Sequence, residues 1–349
     1  MNASVESVTA PVAARTAPHA THRFRLLLRR EYWENKGGIF WAPLIAGLLS
    51  TLLSAGLLVA GIWFAHKSVA EGGSIQHNGV SLNGLDLGGL AQLMTQDDIR
   101  EIGDGLALTL MMSASWPWLV MIFVAFFYCL GALYDDRRDR SVLFWKSLPI
   151  SDTSTVLSKV ATATLTIPLF ATVAAVLTAF LFLLMLSIAI AAHGANPLPF
   201  LWTNGVFLRF VLVMFAVIPV YACWALPTVG WLLMCSAWAK SKPFLWAVLI
   251  PLGLGVAMSM TGLLQVFGLE RHWLWPNVIT RMLLGTAPLT GSDLEALAKA
   301  VDSGARPLDL MTVQGFYSNF ATPSMWIGIV AGIVMIAIAI RLRRWREEG

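Results

Sequence analysis

Apolar positions along this chain run in long unbroken blocks rather than in the three- and four-residue spacing of a half-buried surface helix. Six blocks contain no Asp, Glu, Lys or Arg: Phe40–Ala65, Ala114–Tyr134, Val160–Ala192, Phe210–Trp238, Phe244–Val266 and Pro323–Ile340. A helix rising about 1.5 Å per residue needs about 20 apolar residues to cross a hydrocarbon core of about 30 Å. Each block therefore predicts a spanning helix, the last only just long enough. All 24 Lys and Arg and all 20 Asp and Glu lie outside the blocks. A soluble α protein would have to hide six such runs inside 349 residues, so the pattern predicts an all-α polytopic membrane protein with six transmembrane helices.

Composition agrees with that pattern, and charge gives it a direction. The chain is 57% apolar and 13% charged, with a mean hydropathy of +0.70, where soluble domains carry about 25% charged residues. Six spans return the C-terminus to the side of the N-terminus. With both ends inside, segments 1–39, 135–159, 239–243 and 341–349 hold 17 of the 24 Lys and Arg. Basic loops resist translocation, so this asymmetry predicts cytoplasmic N- and C-termini. Trp41, Trp63, Trp116, Trp118, Trp238, Trp246 and Trp326 sit near span ends. There an indole keeps its ring among headgroups and its N–H wet, although packing between helices suits each of them too.

The flanking segments divide the chain. Residues 1–20 lack a basic region followed by an apolar one and read as a flexible cytoplasmic tail. Residues 21–39 contain HRFRLLLRREYWENK, in which Phe24, Leu27, Leu28 and Tyr32 share a face with Arg23, Arg25, Arg29 and Arg30 around the rest. Such a basic amphipathic helix lies in a membrane interface. Glu31 intrudes on the apolar face, and Gly37 and Gly38 then break the helix. Residues 40–349 form one transmembrane domain with extracytoplasmic segments 66–113 and 267–322. Thr95 is placed to cap a short helix in the first segment, and Ser292 to Glu295 make a capping box in the second.

Catalytic signals are sparse. There is no H-E-x-x-H, no G-x-S-x-G and no G-x-x-x-x-G-K-[ST] phosphate loop. Cys129, Cys223 and Cys235 fall inside predicted spans without C-x-x-C spacing, and the six histidines show no i, i+4 pair, so no metal site is expected. Glu270, Arg271 and His272 are the only tight titratable cluster with a histidine outside the membrane. The spans carry none of the ionisable groups by which secondary transporters couple to ions. Pro219 and Pro227, eight residues apart in the fourth span, mark the expected discontinuous helix, as a candidate hinge or, more ordinarily in a membrane helix, a static kink. The third span is longer than the bilayer and must tilt, kink or project, with Asp152 placed to cap a cytoplasmic extension.

One loop is neither apolar nor simply solvated. Residues 134–159, YDDRRDRSVLFWKSLPISDTSTVLSK, alternate Arg137, Arg138 and Arg140 with Asp135, Asp136 and Asp139, then present Val142, Leu143, Phe144 and Trp145 before Lys146. Arg beside exposed aromatic residues is the usual makings of an interface hot spot. The run resembles the cytoplasmic loop of ABC-2 type permeases, the membrane subunits of ATP-binding cassette exporters. Arg29 to Glu34, RREYWE, is similar to that family's segment before its first span.

The resemblance implies a dimer, with a second copy or a related subunit, in the bacterial cytoplasmic (inner) membrane. Each subunit would dock on a cytoplasmic ATPase through Arg137, Arg138, Arg140, Leu143, Phe144, Trp145 and Lys146. It also implies an interfacial N-terminal helix in contact with lipid and short re-entrant helices before the last span. ATP and Mg would be bound by the partner, with no cofactor in this chain, no catalytic residue and no nucleic acid. Uncharged spans lined with Leu, Phe, Met and Trp suit an amphipathic or lipid-like cargo. Two other classes stay open: an ATPase-coupled scaffold that transmits force to an envelope assembly, and a polytopic membrane enzyme built around Glu270 and His272.

Overall fold

Helices follow the apolar blocks, and most run past them at one end or both. The computed structural model describes residues 20–71, 75–77, 80–82, 95–139, 151–261, 265, 270, 273–287 and 312–345. In chain order these form α1 (Ala20–Glu34), α2 (Ala42–Ala70), β1 (Ile75–His77), β2 (Val80–Leu82), α3 (Gln96–Ala132) and α4 (Tyr134–Arg138). The second half comprises α5 (Asp152–Ala161), α6 (Ile167–Ala192), α7 (Val206–Trp238), α8 (Pro243–Thr261), α9 (Thr280–Leu284), α10 (Val313–Tyr317) and α11 (Pro323–Trp345). Wider π turns precede α2, α6, α7 and α9. Among the described residues six helical segments are long and apolar enough to cross a membrane: Gly37–Ser68, Asp97–Arg138, Asp152–Ala192, Leu198–Trp238, Pro243–Thr261 and Pro323–Trp345. The tail before residue 20, residues 140–150 and the Ser292 to Glu295 capping box lie outside the described residues.

Two local expectations are corrected, and the helix carrying Pro219 and Pro227 proves continuous. Thr95 does cap a helix, accepting from Asp98 N while the Asp98 carboxylate accepts from Thr95 N at 2.7 Å. That helix is not short, however. No residue between Gln96 and the second apolar block interrupts the hydrogen-bond ladder, so extension and span form one element of 37 residues, about 56 Å long. At the root of α5 the cap is Ser151, whose hydroxyl accepts from Ser154 N at 3.1 Å. Asp152 is drawn away because its carboxylate pairs with Arg343 at 3.2 Å. Finally, α7 runs uninterrupted through Pro219 and Pro227, since a lone missing donor is tolerated where the rest of the ladder holds. A short antiparallel pairing of β1 and β2, Ile75 opposite Leu82, follows α2.

Small residues decide how the helices meet. With no water to expel, helices in lipid associate by close backbone approach. α11 packs along α7 with Met325, Gly328, Gly332, Ile336, Ala339 and Arg343 buried at three- and four-residue spacing. A Cβ on Gly332 would stand 2.7 Å from the Leu226 carbonyl carbon, and one on Gly230 the same distance from the Gly332 oxygen. The two backbones touch. α2, α3 and α6 converge similarly at Gly47, whose added Cβ would collide with the Thr178 hydroxyl. Outward faces stay apolar, as on α2 with Leu49, Leu52, Leu53 and Leu57. Trp118 is the exception among the span-end tryptophans: it is buried edge-on against Tyr221, with centroids 6.1 Å apart.

Between α8 and α11 the chain turns back into the bundle. The π turn Trp275–Ile279 lies against Gly255 of α8, and Trp275 Nε1 donates to Ser259 Oγ at 3.0 Å. α9 then places Arg281 between α7 and the start of α11. Its guanidinium covers the Trp224 ring at 4.2 Å, and Nη1 donates to the Ser324 carbonyl and to Ser324 Oγ. Thr228 Oγ1 donates back to the Arg281 carbonyl at 2.5 Å. A side chain at Gly328 would occupy the guanidinium's place and displace Arg281 from it.

Candidate functional site

At one end of the bundle, charges that are distant in sequence gather around Asp136. Lys159 Nζ stands 3.1 Å from Glu31 Oε1 and 3.4 Å from Asp136 Oδ2. Arg343 Nη1 reaches Asp136 Oδ2 at 3.3 Å, while its Nε donates to Asp152 at 3.2 Å. Arg30 approaches Asp136 at 3.9 Å and bonds Glu34 at 2.6 Å. Tyr128 completes the set by donating its hydroxyl to Glu31 Oε2 at 2.7 Å. Glu31 is 1% exposed and Lys159 2%. Three buried or partly buried carboxylates, Glu31, Asp136 and Asp152, and the exposed Glu34 thus meet three cations, Arg30, Lys159 and Arg343. Such pairing is what makes burial tolerable, since an unpaired buried charge costs several kcal/mol.

Each charge is placed by ordinary helix geometry. Glu31 is buried on the α1 face that packs against α5. Asp136 follows α3 by one turn, in a continuation held by Ser236 of α7. The Ser236 hydroxyl accepts from Leu133 N and Tyr134 N at 3.0 and 2.9 Å and donates to Leu130 O at 2.7 Å. Lys159 lies two turns into α5, and Arg343 follows Ala339 by one turn on the buried stripe of α11. The node therefore ties four elements: the N-terminal helix, the two roots of residues 140–150, and the C-terminal helix. An open cleft of about 900 Å³ adjoins it, walled by Phe123, Val124 and Phe127, with Glu34, Asp135 and Asp139 at its polar side.

The residues that the loop reading singled out separate here. Arg137 is turned inward, its Nη2 donating to the Ser236 and Ala239 carbonyls at 2.5 and 2.9 Å, where it caps the end of α7. Arg138 is exposed. Arg140, Leu143, Phe144, Trp145 and Lys146 lie outside the described residues, as do Arg271 and His272 of the polar cluster beside Glu270. On α1, Leu27 is buried and Phe24, Leu28 and Arg30 are half-buried. Tyr32 stacks on Phe170 at 5.2 Å, and Arg29 is exposed. Leu26 and Trp33, about 180° away on the helix, remain 51% and 56% exposed. α1 thus has two apolar stripes. The one carrying Glu31 faces the protein, which explains why a carboxylate belongs there.

Asp136 and Lys159 enter the sequence reading only as members of the 134–159 run, and Glu31 only as a charge on an apolar face; Arg343 and Arg281 are not candidates there. Arg281 leaves no signal in the sequence, though burial pushes its guanidinium below the ordinary arginine value. Its Nε and Nη2 have no hydrogen-bond acceptor among the described residues, so Trp224 and the Ser324 backbone carry the cation. Pro219 is exposed and Pro227 buried, both inside one helix. Cys129 and Cys235 are buried, Cys223 is partly so, and all three are free thiols. Among the described residues no three His, Cys, Asp or Glu gather as a metal cage. No family model, no curated protein and no solved structure matches the chain.

Proposed function

We propose that this chain is the membrane-spanning permease subunit of an ATP-binding cassette exporter. It works as a dimer in a bacterial inner membrane and moves an amphipathic or lipid-like substrate outward on ATP hydrolysed by a separate subunit. The observation that carries the reading is the node at the loop roots. Asp136 before residues 140–150, and Asp152 and Lys159 after them, are held to one another through Arg343 and Glu31. A push on that loop by a partner would not be absorbed at its hinges. It would pass as a unit into α1, α3, α5 and α11, and through Ser236 into α7. A segment built to transmit force in this way suits a motor that lies outside the membrane.

In this reading the node end is cytoplasmic, in keeping with the excess of Lys and Arg there. α1 lies along the membrane surface on Leu26 and Trp33, with Arg25 and Arg29 toward anionic headgroups. The turned-back segment at Arg281 is then a re-entrant element on the outer half of the bundle. Co-purification tests the docking step: the full chain should retain an ATP-binding cassette subunit through detergent extraction, and deletion of Ser141–Pro149 should release it while membrane insertion persists. Retention of the ATPase by the deleted chain would remove the loop from the coupling path.

A further inference from the structure

The end of the bundle opposite the charge node carries a pairing unrelated to the coupling loop. His66, in the last turns of α2, and His193, the residue that closes α6, face each other across 127 positions of sequence with Nε2 to Nε2 at 3.4 Å. Their ring centroids are 5.6 Å apart and their planes 35° from parallel. His193 is fixed further, since its Nδ1 lies 2.8 Å from the Ala189 carbonyl. That acceptor holds the proton on Nδ1 and leaves the Nε2 lone pair directed outward. A backbone carbonyl on the far nitrogen is the usual support of a metal-ligating histidine. The helices that carry the two rings are already in contact lower down, where Gly47 meets Thr178 and Ala174.

We propose that His66 and His193 form a two-histidine transition-metal site, suited to zinc, that staples the ends of α2 and α6. Two imidazole nitrogens bound to one zinc at about 2.0–2.1 Å and a tetrahedral angle stand about 3.3–3.4 Å apart. The observed nitrogens already have that separation. Each ring needs only to turn so that its lone pair meets an ion off the line between them, and His66 is exposed enough to turn. In the bound form His66 carries its proton on Nδ1 and both Nε2 atoms coordinate, while water fills the remaining open positions. The neighbouring cation does not oppose this. Lys67 is engaged one turn onward with Glu71 at 3.8 Å and over Trp63 at 5.7 Å.

The test uses the full chain, purified in detergent without a polyhistidine tag, stripped of metal and titrated calorimetrically with zinc chloride. A background carrying His19→Ala, His22→Ala, His77→Ala and His272→Ala isolates the pair. One zinc per chain is expected, with affinity falling about tenfold or more on His66→Ala or His193→Ala. Zinc should raise the melting temperature of the parent and leave both variants unmoved. His66→Cys, which keeps a zinc donor, should retain uptake. Equal zinc binding in parent and variants, or no uptake below millimolar zinc, would overturn the site and leave a neutral histidine hydrogen bond. Size-exclusion profiles matching the parent show that the variants fold.

Discussion

Replacing Lys159 by Met puts the buried node to its hardest test. The ammonium lies 3.1 Å from Glu31 and 3.4 Å from Asp136. With an effective dielectric of about 20, each contact is worth about 5 kcal/mol of gross attraction, and desolvation of the ions offsets much of it. Met fills a similar volume but leaves Glu31, only 1% exposed, with the Tyr128 hydroxyl as its remaining polar partner. Oε1 of Glu31 has no aligned hydrogen-bond donor and is held by charge alone. Orphaning a buried ion in this way costs about 3–5 kcal/mol. Adding Glu31→Gln to Lys159→Met removes the orphaned charge while keeping the acceptor for Tyr128, so it should recover about 2 kcal/mol. Unfolding in mixed micelles with a rising fraction of denaturing detergent, followed by tryptophan fluorescence, measures all four members of the cycle. A loss below about 1 kcal/mol for Lys159→Met, or additive losses in the double variant, would refute the claim that these charges act as a closed set.

Other outcomes follow from the same geometry. Gly332→Leu should force α7 and α11 apart, because even a Cβ there would stand 2.7 Å from the Leu226 backbone; the expected loss is about 1–3 kcal/mol, read as a lower melting temperature in detergent. Arg281→Ala should destabilise by about 1.5–3 kcal/mol, and Arg281→Lys should not restore the loss because an ammonium lacks the planar face laid on Trp224. Reporter fusions fix the topology: one at Ile150 should score cytoplasmic and one at Lys299 extracytoplasmic, and the reverse pattern would invert the orientation.

The long apolar blocks made readable the six helices long and apolar enough to cross a membrane, because run length alone sets whether a helix can span. Lengths were harder. The charge-free run in fact begins at Gly105, upstream of Ala114, and helix continues back through the polar stretch 96–104, since that extension costs nothing in hydrogen bonding once it is capped by Thr95. The node was mostly invisible because its members lie as far apart as Asp136 and Arg343, 207 positions, and each by itself looks like an ordinary charge at a span end. Glu31 was the legible fragment: a carboxylate between Leu27 and Leu28 on one side and Tyr32 on the other makes sense only against a buried cation. Arg137 was legible as a charge in the loop but not in its contacts, since nothing in the spacing announces that it donates to the C-terminal carbonyls of α7. Pairs such as His66 with His193 depend wholly on how α2 and α6 are set against each other, and no spacing rule reaches across 127 residues.

The claim that residues 134–159 receive force from an outside ATPase is tested most directly by a photocrosslinker placed at Trp145 in living cells. The account predicts an adduct with a soluble ATP-binding subunit, absent when the crosslinker replaces Leu57 on the lipid-facing side of α2. Adducts confined to lipid or to this chain itself would contradict it.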